Sequence, residues 1–151
     1  MLQKSLKAML LIALVSVTAP LAARDGGEMF EIYLNSKLLV RQYNPQSFTL
    51  QSLNLTEANV NDKLVIYYNH CGHPGKSRTI AIVDKAGNVL KKYNFGDGNS
   101  VQDGMSIPVK ELLALEKNNQ GMQLAIHYTA KELPKGLTLS AVQFKNKAAK
   151  S

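Results

Sequence analysis

The 151-residue chain has no tryptophan, one cysteine and only three arginines, Arg24, Arg41 and Arg78. Each scarcity removes a class of protein. Disulfide frameworks need cysteine pairs, so this fold must hold by its core alone. The Cys-Trp-Cys pattern of immunoglobulin domains is missing for the same reasons. Scattered arginines without interleaved aromatics make no nucleic-acid face, and the formal charge of +7 does not restore one. Lys4 and Lys7 sit at the N-terminus and Lys145, Lys147 and Lys150 in the tail, which leaves residues 24–144 near +2. The apolar run from Ala8 to Val17 is too short to span a bilayer, which takes about 20 residues. No carboxylate pair, triad spacing, phosphate loop or cofactor motif is present.

The N-terminus carries a sorting pattern. Lys4 and Lys7 precede the apolar run, and Thr18-Ala19-Pro20-Leu21-Ala22-Ala23 follows it. A charged start, a short apolar middle and a small-residue exit form the layout of a secretory signal peptide, predicted over residues 1–23. No cysteine follows to accept a lipid. The mature chain is expected to be periplasmic or secreted from a bacterium, without a transmembrane segment. Residues 24–144 suffice for one domain with a core of its own. Residues 145–151 read as a disordered basic tail.

Hydrophobic periodicity indicates the fold class. Phe30, Ile32 and Leu34 alternate with Glu31 and Tyr33, the period-two mark of a half-buried strand. Asn35-Ser36 turns the chain into Leu38 to Tyr43, completing a hairpin that Asn44-Pro45 breaks. A third strand is expected from Phe48 and Leu50 to near Leu53, then a loop or single helical turn over 54–62. The sequon Asn54-Leu55-Thr56 there needs a eukaryotic secretory route, which nothing in the sequence indicates. Leu64 to His70 is nearly continuous in apolar and aromatic residues, as in a central strand covered on both faces.

Thr79 to Val83 and Val89 to Phe95 flank the loop Asp84 to Asn88. Short connections predict that these two runs and Leu64 to His70 form an antiparallel meander. The polar loop Gly96 to Gly104 lacks the glycine and closing glutamate of a calcium loop. Ser106 is expected to cap a short helix with Pro108 in its first turn and Val109, Leu112 and Leu113 on one face, crossing between sheets or plugging an open end. Met122 to Thr129 alternates again, Leu133-Pro134-Lys135-Gly136 reads as a turn, and Leu137 to Phe144 as the last strand. About eight short strands and one helix predict an all-β antiparallel sandwich, with a small β-barrel as the alternative.

Reactive side chains concentrate in His70-Cys71-Gly72-His73. The plain reading makes Cys71 a small buried hydrophobe closing its strand, His70 and His73 polar strand-end residues, and His127 an exposed residue on the polar phase of its own strand. In a sharper reading Cys71 and His73 share one side of an extended chain and His127 approaches from another strand. With His70 in support, one thiolate and imidazoles suit zinc or copper. A nucleophilic Cys71 is the third reading, because neighbouring cations favour the thiolate. It is weakened because His70 falls on the opposite face of an extended strand and no spacing specifies a further catalytic group.

Loops at sandwich ends carry recognition. A ligand-binding rim is therefore expected from His70, Cys71, His73, Lys76 and Arg78 on one side and Asp97 and Asn99 on the other. The six tyrosines, 33, 43, 67, 68, 93 and 128, join an apolar body to a polar tip and suit a binding surface, although the sequence does not put them on one face. The expectation is an exported, non-enzymatic binding module for a protein, glycan or small ligand, without nucleic acid or a required cofactor. A periplasmic zinc or copper protein and a small thiol enzyme are the alternatives.

Overall fold

The computed structural model describes residues 27–43, 45 and 49–145. The leader assigned to residues 1–23, the strand start at Phe48 and the tail beyond Lys145 lie outside them. Within the described residues the strands are β1 (Met29–Leu34), β2 (Lys37–Tyr43), β3 (Ser52–Leu55), β4 (Lys63–Asn69), β5 (Arg78–Val83), β6 (Val89–Gly96), β7 (Met105–Pro108), β8 (Leu124–Ala130) and β9 (Leu133–Phe144). One helix, α1 (Val109–Asn118), lies between β7 and β8. A four-stranded sheet runs β2-β1-β4-β7 and a five-stranded sheet β3-β9-β8-β5-β6. All neighbours are antiparallel except β3 with β9. Neither sheet closes on itself, so the fold is all-β and sandwich-like, and the barrel alternative falls.

Alternation builds the core. Phe30 and Ile32 of β1, Leu64 and Ile66 of β4 and Ile107 of β7 are buried in one cluster with Ile80 and Ile82 of β5, Leu124 and Ile126 of β8 and Val142 of β9. Burying each such side chain is worth about 1.5–3 kcal/mol over leaving it exposed. A one-residue slip of any strand would turn its whole row to solvent, so register is strongly specified.

The topology departs from the sequence reading at four places. β4 is hydrogen-bonded on both sides, to β1 and β7, and offers β5 no edge. β5 instead pairs with β6 and β8, so residues 70–77 cross from one sheet to the other and the meander is not formed. Along β4 burial alternates instead of covering both faces. Met105–Pro108 is a strand, with Ser106 opposite Val65, because Met105 and Ile107 both find buried sites against β4. Pro108, not Ser106, precedes the helix, in an extended conformation. α1 then carries the chain from the first sheet to the second, burying Val109, Leu112 and Leu113, the crossing role expected of it.

The third departure is at β9, which starts at Leu133. Pro134 and Gly136 are absorbed into a strand irregularity, with Gly136 at φ +70°, and the turn falls earlier, at Lys131-Glu132. Fourth, β3 is shifted to Ser52–Leu55 by pairing with Ala141 to Phe144, which leaves Leu50 exposed. The single helical turn expected next is present as a 3-10 turn over Glu57–Asn59.

Candidate functional site

The Cys/His segment is a tight turn at the end of β4. His70 and His73 exchange backbone hydrogen bonds of 2.9 and 3.1 Å around Cys71 and Gly72, whose φ values are +53° and +92°. Two successive left-handed residues make this a primed hairpin turn. Asn69 Oδ1 fastens it by accepting the Gly72 N–H at 2.6 Å. The turn lifts Cys71 off the pleat before its thiol can reach the core. Cys71 is therefore exposed, contrary to the expectation of a buried filler.

His70 goes inside instead, at 6% exposure. Its ring centroid lies 4.6 Å from that of Tyr68 and 5.7 Å from that of Tyr128, and those two phenol rings stack at 4.4 Å. His70 Nε2 is 2.9 Å from Tyr128 Oη. The Glu28 carboxylate lies 3.6 Å from His70 Nδ1 and accepts from Tyr68 Oη at 3.3 Å. Nδ1 itself has no hydrogen-bond partner among the described residues. Burial pushes the phenol pKa of both Tyr68 and Tyr128 well above the ordinary value. Gly75 packs so closely on Tyr128 Oη that a Cβ would collide with it. The cluster is sealed, and it bolts β4 of one sheet to β8 of the other.

Tyr128 points inward, so its neighbour His127 points to the opposite face. There it is half-buried, with Nδ1 3.2 Å from Thr138 Oγ1. The structure thus does not bring His70, Cys71, His73 and His127 together. No group of three or more His, Cys, Asp or Glu among the described residues is arranged to hold a metal ion.

The two rim segments do adjoin, and they brace each other. Arg78 is 7% exposed and donates to Gly96 O at 3.1 Å and to Asp103 O at 2.7 Å. Asp97 accepts the Ser77 N–H at 2.8 Å, and Gly98 N–H reaches Gly75 O at 2.9 Å. Asn99 N–H donates to Asp103 Oδ2 at 2.5 Å. That bond, with lesser help from Ser100 and the Arg78 charge, holds the Asp103 carboxyl below its usual range. His73 and Lys76 are exposed, and Lys76 N–H is bonded to Glu132.

This bracing makes a wall over the neighbouring sheet. Residues 97–104 run from β6 in the five-stranded sheet to β7 in the four-stranded one. They lie against the outer face of β4, where a Cβ on Gly104 would come within 2.6 Å of Val65 and 3.0 Å of Tyr67. Beside them opens a groove of about 620 Å³. Met29, Glu31 and Tyr33 of β1 and Tyr67 and Asn69 of β4 line it. Asn35 and Ser36 of the β1–β2 turn and Val101 and Gln102 of the loop complete the lining. The strand residues point outward because their neighbours Phe30, Ile32, Ile66 and Tyr68 are claimed by the core.

Register places Glu31 between Arg41 and Tyr67, and Met29 opposite Asn69. The Tyr33 and Tyr67 rings meet edge to face, 5.6 Å apart at 84°. The Glu31 side chain, 15% exposed, is ion-paired with Arg41 and accepts the Tyr33 hydroxyl at 3.3 Å. Hydrogen bonding to Glu31 raises the Arg41 pKa further. The Tyr67 hydroxyl, the Asn69 Nδ2 and the Gln102 side-chain amide make no hydrogen bond among the described residues, while the Gln102 N–H donates to Ser100 Oγ at 3.1 Å.

Sequence reasoning singled out Tyr33 and Tyr67 only as members of a larger set and overlooked Glu31 and Asn69. The usable signal was the polar phase of the two strands, which becomes a surface only once β1 and β4 are known to be neighbours. No helix among the described residues is long and apolar enough to cross a membrane. Scans against protein-family models and curated proteins find no match for the chain.

Proposed function

We propose that this chain is an exported, non-enzymatic binding module that takes its ligand in the groove on the outer face of the four-stranded sheet. The observation that carries this reading is the concave arrangement of Tyr33 and Tyr67 with unspent polar groups around them. At about 620 Å³ the groove falls within the ordinary range of ligand sites. Tyrosine supplies rigid amphipathic area at low entropic cost, and amides supply adaptable hydrogen bonds. Acid–base chemistry finds less support. The His70–Tyr128 pair is closed to any substrate, and no hydrogen bond joins the exposed Cys71 thiol to a base among the described residues. Export rests on the leader pattern of residues 1–23.

The test is a chemically mixed fragment library screened by amide-resolved NMR. Expected hits shift the backbone signals of Tyr67, Asn69 and Gln102, and lose binding in Tyr67→Ala with the far-ultraviolet circular dichroism unchanged. Hits that shift only residues 71–78, or an absence of hits, would overturn the assignment.

A further inference from the structure

Resting on that groove as the binding site, we infer that its ligand is a neutral saccharide. Charge comes first. Glu31 is the one acidic or basic residue in the lining, and it is already matched by Arg41 and by the Tyr33 hydroxyl. A cationic ligand would have to displace Arg41, and an anionic one would meet the carboxylate. Burying either against a satisfied pair leaves a charge without a partner, which is costly. An uncharged ligand meets no such obstacle.

Backbone availability comes next. The groove lies over β1 and β4, and both are interior strands: β1 is paired with β2 and β4, and β4 with β1 and β7. Ladders run on both sides of β1 and of Lys63–Ile66 in β4; past Ile66, β4 keeps β1 on one side and meets the loop at Gly104 on the other. An extended peptide added as a further strand needs a long open sheet edge, and this floor leaves only Tyr67 to Asn69 without a second strand. Recognition therefore falls mainly to side chains.

The side chains then select the chemistry. Tyr67 Oη can donate and accept, Asn69 offers Nδ2 because its Oδ1 is committed to Gly72, and Gln102 offers both ends of its amide. Ser36 adds a hydroxyl at the far turn. Between these lie the apolar surfaces of the two tyrosine rings, Met29 and Val101. A pyranose ring matches this alternation, presenting flat C–H faces bordered by hydroxyls that both donate and accept. The volume of about 620 Å³ admits a ligand larger than a single ring.

The test titrates the chain at millimolar concentrations with cellobiose, maltose, lactose and N,N′-diacetylchitobiose, and in parallel with tetramethylammonium and a neutral blocked tripeptide. Shifts are read at Tyr67, Asn69 and Gln102. At least one disaccharide is expected to bind there. Tyr67→Phe, which keeps the ring and removes one hydroxyl, should weaken it about tenfold. Gln102→Ala, on an exposed loop where folding is not at stake, should weaken it as well.

Binding of tetramethylammonium or the tripeptide in the groove without any saccharide would overturn the saccharide inference and leave the binding-module reading standing. No groove shifts from any probe would overturn the saccharide inference, while hits from the broader fragment screen would still sustain the site. Saccharide affinity unchanged in both Tyr67→Phe and Gln102→Ala would also overturn it.

Discussion

Tyr128→Phe removes one oxygen from the buried cluster and leaves the ring stack in place. The lost atom is the partner of His70 Nε2 at 2.9 Å. Tyr128 Oη and His70 Nε2 are each other's buried hydrogen-bond partner. Nδ1, 3.6 Å from the Glu28 carboxylate, already lacks a hydrogen bond, so in the variant neither imidazole nitrogen is satisfied in a side chain only 6% exposed. Leaving a buried polar atom unpaired costs about 1–3 kcal/mol, or about 5–15 °C in Tm for a domain of this size. His70→Leu, close in volume, strands the Tyr128 hydroxyl in the same way and should cost a similar amount. The double variant strands neither group and should cost less than the sum, with a coupling of about 1–2 kcal/mol. Urea denaturation followed by circular dichroism measures all four proteins, with a constant m value confirming that only stability has changed. Additive single effects would show that the pair contributes no joint stabilisation and would refute the inter-sheet bolt.

Other expectations follow from the same geometry. Cys71, exposed at its turn, should react with a thiol reagent at the same rate with and without denaturant; protection in the native protein would contradict its placement. Cys71→Asn should stabilise by up to about 1 kcal/mol in denaturant titration, since asparagine tolerates the left-handed region that Cys71 occupies at φ +53°. Gly136→Ala should destabilise by about 2–3 kcal/mol, since a Cβ at φ +70° meets His127 Nε2 and lies 2.7 Å from Tyr128 O; a neutral effect would refute the local geometry. Alkaline stability has a definite sign. Burial first, then Glu28 for Tyr68 and Glu111 for Tyr93, raises the phenol pKa of Tyr68, Tyr93 and Tyr128 above the ordinary value of about 10. Their contribution is full below that value and is lost as pH climbs through the raised one. Tyrosinate absorbance should show these three ionising late, together with unfolding, and ionisation at pH 10 without unfolding would contradict their burial.

Period-two alternation located β1 and β8, because half-buried strands must repeat every second residue; the Asn35-Ser36 turn located β2 and a nearly continuous apolar run located β4, though not its alternating burial, and together they indicate the class of the fold. The helix and its buried Val109, Leu112 and Leu113 were equally legible from their spacing. A single cysteine rules out an internal disulfide framework. Sheet membership lay beyond that reach. Both β4 and β5 read as strands, yet whether they pair depends on β1 and β7 already occupying the edges of β4, which is a competition between distant segments. The same limit governed the site. The exposure of Cys71 and burial of His70 turn on two successive left-handed residues, and the groove exists because β1, β4 and the 97–104 loop converge from separate parts of the chain. Local order dictates which face of a strand is apolar; only the packed molecule decides which strands share a sheet, and therefore which outward side chains become neighbours.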